Sequence, residues 1–155
     1  MSLLLVVADR ELLTHQVYSR LRDTTGEVGM RELYGLSSTA SDEDWEHYHS
    51  ALSCVERLAS QAVDSAYKGS GVDATGPRDN SVTNLLWLLR TTEKQLVRSY
   101  REICRLTIEW DYRTFDMSFR NLNENAQHQQ RVSDLLTGGW TEHRAQHGML
   151  QAASR

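Results

Sequence analysis

Glutamate and histidine side chains recur at spacings that would let a metal ion gather them. Glu46 and His49 are three residues apart, which places both on one face of a helix. Asn125 and His128 share that spacing, with Glu124 beside them. Carboxylate oxygens and imidazole nitrogens suit iron, and carboxylates can bridge two ions. The pattern predicts metal-binding chemistry, although a single Glu-x-x-His pair is more often a solvated helix face.

Two further glutamates interrupt apolar stripes elsewhere in the chain. The first stripe is Leu4, Val7, Glu11, Thr14, Tyr18 and Leu21, and the second is Leu86, Leu89, Glu93, Leu96, Tyr100, Ile103 and Thr107. A lone carboxylate inside a helical bundle costs several kcal/mol unless it is paired or bound to a metal. Glu11 and Glu93 on different helices therefore favour a shared cation, unless the helical phase is misread.

Helical periodicity predicts four long helices that would position these side chains. Their expected ranges are residues 3–23, 42–68, 82–110 and 112–136, with a short helical turn at 27–34. Ser41 is expected to cap the second helix, Asn80 or Ser81 to cap the third, and Gly138 with Gly139 to close the fourth. No internal repeat is evident. We predict an all-α four-helix bundle over residues 1–137, followed by a tail or short fifth helix over 138–155.

The link between the second and third helices is long enough to cross the bundle. Its thirteen residues, 69–81, span about 40–45 Å when extended, whereas a helix of about 25 residues is about 38 Å long. A crossover of this kind makes the second and third helices parallel, as in ferritin-like folds. The alternative is a surface loop that joins antiparallel neighbours.

Composition and charge narrow the class of protein. The 155 residues include one proline and carry a formal net charge of -4 without a basic run, which argues against a nucleic-acid partner. The apolar start at residues 3–8 is too short for a membrane span and lacks the basic segment of a signal peptide. We expect a cytoplasmic protein with no membrane partner, in which Cys54 and Cys104 are reduced core thiols.

Several local strings resemble the bacterioferritins, which belong to the ferritin-like di-iron carboxylate superfamily. The resemblance covers about residues 3–136. Its strings are Glu11-Leu12 followed by Gln16 and Tyr18, Glu46-x-x-His49, Asp111-Tyr112-x-x-x-Asp116-Met117, and His128. The resemblance implies that Glu11, Glu46, His49, Glu93 and His128 are metal ligands and that Tyr18 is an electron donor near the site.

Two positions depart from the bacterioferritin pattern. Asn125 stands where the family has a bridging glutamate, and it offers one neutral oxygen to the metal site. Glu124 could substitute if the helix were locally rotated. His47 stands where the family has a methionine that ligates haem, so haem binding at His47 is one expectation and an exposed polar residue the other.

The resemblance implies oxidation of ferrous iron and its storage in a hollow homo-oligomer, with about two dozen copies favoured over about a dozen. Ferroxidase activity and a mononuclear or di-iron site follow from the same expectation. One alternative is a structural or partner subunit with a degenerate site, mixed with another ferritin subunit. A second alternative is a cage-free di-iron oxidase that acts on an organic substrate or an oxygen species.

Overall fold

Four α-helices make up the described part of the chain. The computed structural model describes residues 2–27, 30–61 and 81–138. The helices are α1 (Ser2–Glu27), α2 (Arg31–Gln61), α3 (Val82–Thr107) and α4 (Tyr112–Thr137). No strand occurs in these three ranges, and the helices pack as a bundle. The predicted all-α, ferritin-like four-helix fold is confirmed.

Contacts between side chains fix the directions of the helices. The pairs are Ser19–Ser41 and Glu11–His47 between α1 and α2, Tyr18–Glu93 and Arg10–Ser99 between α1 and α3, and Glu43–His128 and Arg57–Asp111 between α2 and α4. Residue numbers rise along one helix as they fall along the other, so each pair is antiparallel. Helices α2 and α3 are therefore parallel, as the predicted crossover requires. Residues 69–80 of that link lie outside the described ranges.

Helix α2 begins earlier than the sequence predicted. It runs without a break through Gly35 and Ser41, so Ser41 is not a capping residue and the short turn at 27–34 is not a separate element. The Ser41 hydroxyl instead lies 2.9 Å from that of Ser19 in α1. Gly35 and Ser41 favour a turn locally, but this stretch packs against α1. That packing stabilises a continuous helix more than the two residues destabilise it.

The other helix ends agree more closely with the sequence. Ser81 caps α3, as predicted, by accepting a hydrogen bond from the amide of Asn84 at 3.3 Å. Asp111 caps α4 by accepting from the amide of Thr114 at 3.3 Å. Helix α4 ends at Thr137 and Gly138 follows it. The tail or fifth helix over 138–155 stays a prediction, because residues 139–155 lie outside the described ranges.

The bundle interior is divided into two apolar clusters with a polar layer between them. One cluster contains Leu4, Val7, Ala8, Ala51, Cys54, Val55, Leu96, Tyr100, Ile103 and Met117. The other contains Val17, Tyr18, Leu21, Leu33, Ala40, Leu85, Leu86, Leu89 and Val132. Residues of the polar layer fall between these sets along every helix, at about positions 11, 44–47, 93 and 125–128. None of the described helices has the length and apolar content that a bilayer crossing demands.

Candidate metal centre

Helices α1 and α3 each bring one glutamate into the polar layer. Glu11 and Glu93 are both fully shielded from solvent. Their stripes continue above and below with apolar side chains, so the packing that buries those neighbours also holds the carboxylates inside. Two carboxylates from separate helices therefore share one dry interior.

The structure corrects the phase predicted for α2. Glu46 and His49 lie on its exposed face, where the His49 ring packs edge-on against Trp45 with centroids 4.5 Å apart. Asp44 and His47, two positions earlier, are 0% and 3% exposed and point into the polar layer. The structure therefore brings Asp44 and His47, and not Glu46 and His49, to the other candidate ligands.

Small side chains explain this shift of phase. The buried stripe of α2 is Leu33, Ser37, Ala40, Asp44, His47, Ala51 and Cys54. Its small members let α1 approach closely, while the bulkier Trp45 remains 43% exposed on another face. A search for large apolar residues therefore selects the wrong side of this helix.

Helix α4 supplies Asn125 and His128, which are 0% and 1% exposed. The Nδ2 of Asn125 donates to Oε1 of Glu11 at 3.0 Å and to the backbone carbonyl of Asn121 at 2.9 Å. This leaves the Oδ1 of Asn125 buried without a partner. Glu124 does not take the inward position, because it is half-exposed beside the layer.

The inward side chains form two groups that share one carboxylate. Glu11, Asp44 and His47 offer ligand atoms that all lie within 4.8 Å of one another, and so do Asp44, Glu93 and His128. Asp44 belongs to both groups. Two cations could therefore occupy adjacent half-sites with Asp44 between them. We call these groups the Glu11 half-site and the Glu93 half-site.

Each histidine is also held from outside by a carboxylate on the opposite helix. Oε2 of Glu43 in α2 lies 2.6 Å from Nε2 of His128 in α4. Oε2 of Glu124 in α4 lies 2.5 Å from Nε2 of His47 in α2. With Nε2 occupied in this way, Nδ1 of each ring is left to face the inner carboxylates, at 3.4 Å from Glu11 for His47 and 3.4 Å from Glu93 for His128. Such outer carboxylates orient metal-binding imidazoles and increase their basicity.

Most of the unsatisfied buried polar atoms lie in this layer. Seven buried side-chain nitrogen or oxygen atoms of the described residues have no hydrogen-bond partner, and one of them is the hydroxyl of Ser118. The other six are Oε2 of Glu11, Oδ1 and Oδ2 of Asp44, Oε2 of Glu93, Oδ1 of Asn125 and Nδ1 of His128. Buried polar groups are normally hydrogen-bonded. A cluster of buried oxygen and nitrogen atoms without such partners therefore indicates that a further ligand binds between them.

The histidines are the cationic members of the layer when no metal ion is bound. Burial lowers the pKa of His47, but the hydrogen bond and charge of Glu11 outweigh it and raise the pKa from 6.5 to about 9. Burial likewise lowers the pKa of His128, while Asp44 and Glu93 raise it to about 11. Protonated imidazoles therefore take the place of a metal cation in offsetting the carboxylates.

Burial has the opposite effect on the acids. It raises the pKa of Asp44 well above its usual value, and the nearby His128 imidazole opposes the rise. Burial also raises the pKa of Glu93, again opposed by His128. A charged carboxylate is thus costly in this layer, and a cation that binds there relieves the cost.

Two buried tyrosines flank the layer, one in each apolar cluster. The Tyr18 hydroxyl donates to Oε1 of Glu93 at 2.9 Å. Tyr100 was not selected as a site residue from the sequence, yet it is also 0% exposed, and its hydroxyl accepts from Nδ2 of Asn121 at 3.0 Å. Burial and then the charge of Glu11 raise the pKa of Tyr100 well above 10. Burial and then the charge of Glu93 do the same for Tyr18.

The donor set suits a divalent or trivalent cation with a preference for oxygen and imidazole ligands, including iron, manganese and zinc. The unpartnered oxygens of Glu11, Asp44 and Glu93 are the atoms that such a cation would satisfy. His47 does not suit haem at a subunit surface. Its ring lies inside the bundle, where one nitrogen contacts Glu124 and the other faces Glu11.

A short repeat in the sequence could have identified the inward face of α2. Residues 43–47 read Glu-Asp-Trp-Glu-His and residues 124–128 read Glu-Asn-Ala-Gln-His, so both helices carry a Glu-[Asp/Asn]-x-x-His string. Glu11 and Tyr18 are seven residues apart, as are Glu93 and Tyr100. The matching strings make the pair α1 and α2 similar in sequence to the pair α3 and α4. They correct the expectation that the chain has no internal repeat.

Comparison with known proteins agrees with this fold. No protein-family model matches the sequence. The chain is 28% identical over 142 residues to the DNA protection during starvation protein of Pyrococcus furiosus, and the match covers 89% of this chain and 77% of that relative. The similarity and the four-helix fold together support a place in the ferritin-like superfamily, without singling out the bacterioferritins.

Proposed function

We propose that the chain binds ferrous iron inside its bundle and oxidises it with dioxygen or hydrogen peroxide, for storage within a homo-oligomeric shell. Asp44 would bridge the half-sites, Glu11 and His47 would complete one, and Glu93 and His128 would complete the other. The observation that carries this proposal is a set of six buried oxygen and nitrogen atoms that converge from four helices and have no hydrogen-bond partner. Similarity to a starvation-protection protein of the ferritin-like superfamily supports it.

The residues would act on iron mainly by charge and orientation. Three carboxylates stabilise the ferric product more than the ferrous substrate, because the ferric ion carries the larger charge. Glu43 and Glu124 hold the two imidazoles with Nδ1 directed inward. Two ferrous ions release two electrons to the oxidant. If the oxidant is dioxygen, the two electrons and two protons give hydrogen peroxide. If it is hydrogen peroxide, they give two waters.

Because position 125 holds an amide, the proposed centre has one carboxylate fewer than a four-carboxylate site. Glu11, Asp44 and Glu93 supply three negative charges, one short of the charge on two ferrous ions. The first ion would therefore bind more tightly than the second. The Nδ2 of Asn125 also donates to Glu11, which further weakens the Glu11 half-site relative to the Glu93 half-site.

Ferrous addition without oxygen, followed by air or peroxide, tests the proposal. Ferric absorbance in the near ultraviolet should rise at least tenfold faster with the protein than in buffer, an effect of about 1.4 kcal/mol or more. Asp44→Ala should abolish this acceleration. Glu46→Ala is the matched control, because it removes an exposed carboxylate of the same helix.

Two results would contradict the proposal. One is an oxidation rate equal to that in buffer, and the other is equal loss of activity in the Asp44 and Glu46 variants. Circular dichroism of both variants separates loss of the site from loss of the fold.

Asn125 specifically favours a second candidate function, that of a structural or partner subunit whose site has degenerated. Such a chain would keep the bundle and its assembly but hold at most one metal ion per subunit without speeding oxidation. Elemental analysis after dialysis against iron distinguishes the two functions. A value near two ions per subunit excludes the degenerate site, as does fast turnover at a lower value.

Assembly into a homo-oligomer is proposed from the surface as well as from the superfamily. An exposed apolar patch at the turn between α3 and α4 includes Ile108, Trp110, Tyr112 and Phe119. The ring of Phe115 contacts those of Tyr112 and Phe119. Trp110 is 86% and Tyr112 73% exposed. Exposed aromatic groups of this kind are typical of protein interfaces. Trp110→Glu should reduce the assembled mass, while Arg113→Glu on the same turn should not.

The relative's name favours a shell of twelve copies, which is typical of starvation-protection proteins, over the 24 that the resemblance to bacterioferritins implied. Light scattering coupled to size exclusion separates these masses. A mixed shell with another ferritin subunit would show a second band on a denaturing gel. We place the protein in the cytoplasm, where ferrous iron is available to it.

The name of the relative refers to protection of DNA. We propose that this chain would protect nucleic acid by removing ferrous iron and peroxide, not by binding DNA, because its net charge is -4. A gel-shift assay at low salt should show no complex, while strand breakage by iron and peroxide should fall when the protein is present.

A further inference from the structure

We propose that a basic face of helix α3 in one copy of the chain docks against an acidic face of α2 in a second copy. This inference rests on the proposed homo-oligomer and names the surfaces through which its copies meet. A closed shell needs more than one kind of contact, because one contact repeated between copies gives a dimer, a ring or a filament. The exposed patch at the turn between α3 and α4 supplies one contact, and the two charged faces supply another.

Five basic residues form one stripe along the outer side of α3. They are Arg90, Lys94, Arg98, Arg101 and Arg105, and all of them are exposed. Successive spacings of four, four, three and four residues place them within about 80° of the helix circumference and along about 22 Å of its axis. We call this set the basic stripe. Its members are separated along the chain, so they form no basic run in the sequence and come together only on the helix.

An acidic stripe of nearly the same length lies on the outer side of α2. It consists of Asp42, Glu46 and Glu56, which are all exposed. From the first of these acids to the last, the helix rises by about 21 Å. Residues 42–56 contain no lysine or arginine. The acidic stripe and the basic stripe are therefore similar in length and opposite in sign.

Most charges of the two stripes have no partner of opposite sign in the described part of the chain. At one end of the basic stripe, Arg105 pairs with Glu102 at 2.6 Å. Within residues 2–27, 30–61 and 81–138, no ion pair includes the three central members of the basic stripe or any member of the acidic stripe. These six groups can therefore interact with a partner that carries the opposite charge.

The two stripes lie at opposite corners of the bundle. Helices α2 and α3 each pack against α1 and against α4. They are therefore diagonal to each other, and their outer sides face in opposite directions. One chain cannot pair its own stripes, but the basic stripe of one copy can meet the acidic stripe of the next. Such a head-to-tail contact joins two different surfaces and can be repeated around a closed assembly.

The charge of the whole chain favours a second copy over nucleic acid as the partner of the basic stripe. Basic stripes also occur on nucleic-acid-binding proteins. The formal net charge of -4, however, opposes the approach of a further polyanion. A second copy instead brings a stripe of opposite sign and similar length. Complementary charges of this kind determine which surfaces meet and how fast they associate.

The test reverses the charge of each stripe and measures the assembled mass by light scattering coupled to size exclusion. The basic-stripe variant carries Lys94→Glu, Arg98→Glu and Arg101→Glu, and the acidic-stripe variant carries Asp42→Lys, Glu46→Lys and Glu56→Lys. Each variant alone should lose the assembled mass, because like charges then face each other. An equimolar mixture should recover it, since each variant then offers the stripe that the other lacks.

The matched control reverses three exposed arginines of α4 and changes the net charge as much as the basic-stripe variant does. It carries Arg113→Glu, Arg120→Glu and Arg131→Glu, and it should keep the assembled mass. The unaltered protein should lose assembled mass in 1 M salt, where the screening length falls to about 3 Å. This salt measurement replaces the result of any variant that circular dichroism shows to be unfolded.

Unchanged mass in either folded variant would overturn the inference, as would a mixture that does not recover the mass or an unaltered assembly that 1 M salt leaves intact. A basic-stripe variant that keeps its mass and loses only binding to duplex DNA would assign the stripe to nucleic acid instead. Failure of the proposed function is seen separately, as ferrous iron that the unaltered protein oxidises no faster than buffer does. The half-sites lie within a single bundle, so both charge variants should still accelerate that oxidation.

Discussion

Oε2 of Glu43 in α2 lies 2.6 Å from Nε2 of His128 in α4, and Glu124 in α4 contacts His47 in α2 in the same way. Each inward residue, Asp44 or Asn125, is thus preceded by a glutamate that orients the histidine of the other helix. The two helices hold each other's ligands, so a change at the surface of one helix reaches the half-site built on the other.

Glu43→Ala should weaken metal binding at the Glu93 half-site by about 10- to 100-fold, because His128 loses the carboxylate that orients its ring. Titration with zinc, followed by calorimetry, measures this change. Asp42→Ala removes the exposed acid next to it and should leave the affinity unchanged. Equal affinities for the two variants would show that Glu43 does not position His128.

Asn125→Glu should raise metal occupancy toward two ions per subunit, because it adds the fourth carboxylate charge. After chelation the same variant should be less stable by roughly 2–4 kcal/mol, since a further buried carboxylate then lacks a cation. Asn123→Glu adds the same charge on an exposed face of α4 and should do neither. Elemental analysis and thermal unfolding, with and without metal, check both effects. Unchanged occupancy would contradict the charge argument.

The chelated protein should lose stability as pH rises from about 6.5 to about 11. In the folded chain the pKa of His47 is raised from 6.5 to about 9 and that of His128 to about 11. Groups with a raised pKa hold more protons when folded, so their contribution is complete below 6.5 and is lost as pH rises through the folded values. The raised pKa values of Asp44 and Glu93 act in the same direction.

Melting temperatures across this pH range measure the effect, and His128→Gln should flatten the curve. Metal-loaded protein should show the opposite trend, because metal competes with protons for the same atoms. A melting temperature that rises with pH after chelation would contradict the assignment of protonated histidines.

Gly35→Ala should raise the free energy of unfolding by about 0.5–1 kcal/mol, since glycine is costly within a helix. Gly35 is an exposed residue inside α2, and a Cβ built there meets no atom within 4 Å. Chemical denaturation with urea measures the gain. A loss of stability would mean that the helix is not continuous at this position.

The fold was largely predictable because α1 and α3 carry stripes in which large apolar residues mark the buried side. Glu11 and Glu93 interrupt such stripes, so their neighbours on α1 and α3 identify them. Helix α2 was not predictable in this way. Its interior positions hold Ser37, Ala40 and Ala51, whose small size serves close helix packing and gives a weak hydrophobic signal.

The roles of the outer carboxylates could not be predicted from the sequence, although the repeated Glu-[Asp/Asn]-x-x-His string contains both residues. Glu43 and Glu124 matter because of the relative height and rotation of α2 and α4, and those depend on packing between segments far apart in the chain. Spacing within one helix can suggest a ligand, but it does not show which group on another helix will support it.

The apolar clusters on either side of the polar layer close the bundle at its two ends. An ion or peroxide cannot travel along the axis without displacing packed leucines such as Leu89 and Leu96. At the flank where α2 faces α4, the half-exposed Glu43 and Glu124 contact the two histidines, and their side chains are 38% and 45% accessible. An ion that enters from this flank would pass two acids, which attract cations and repel anions.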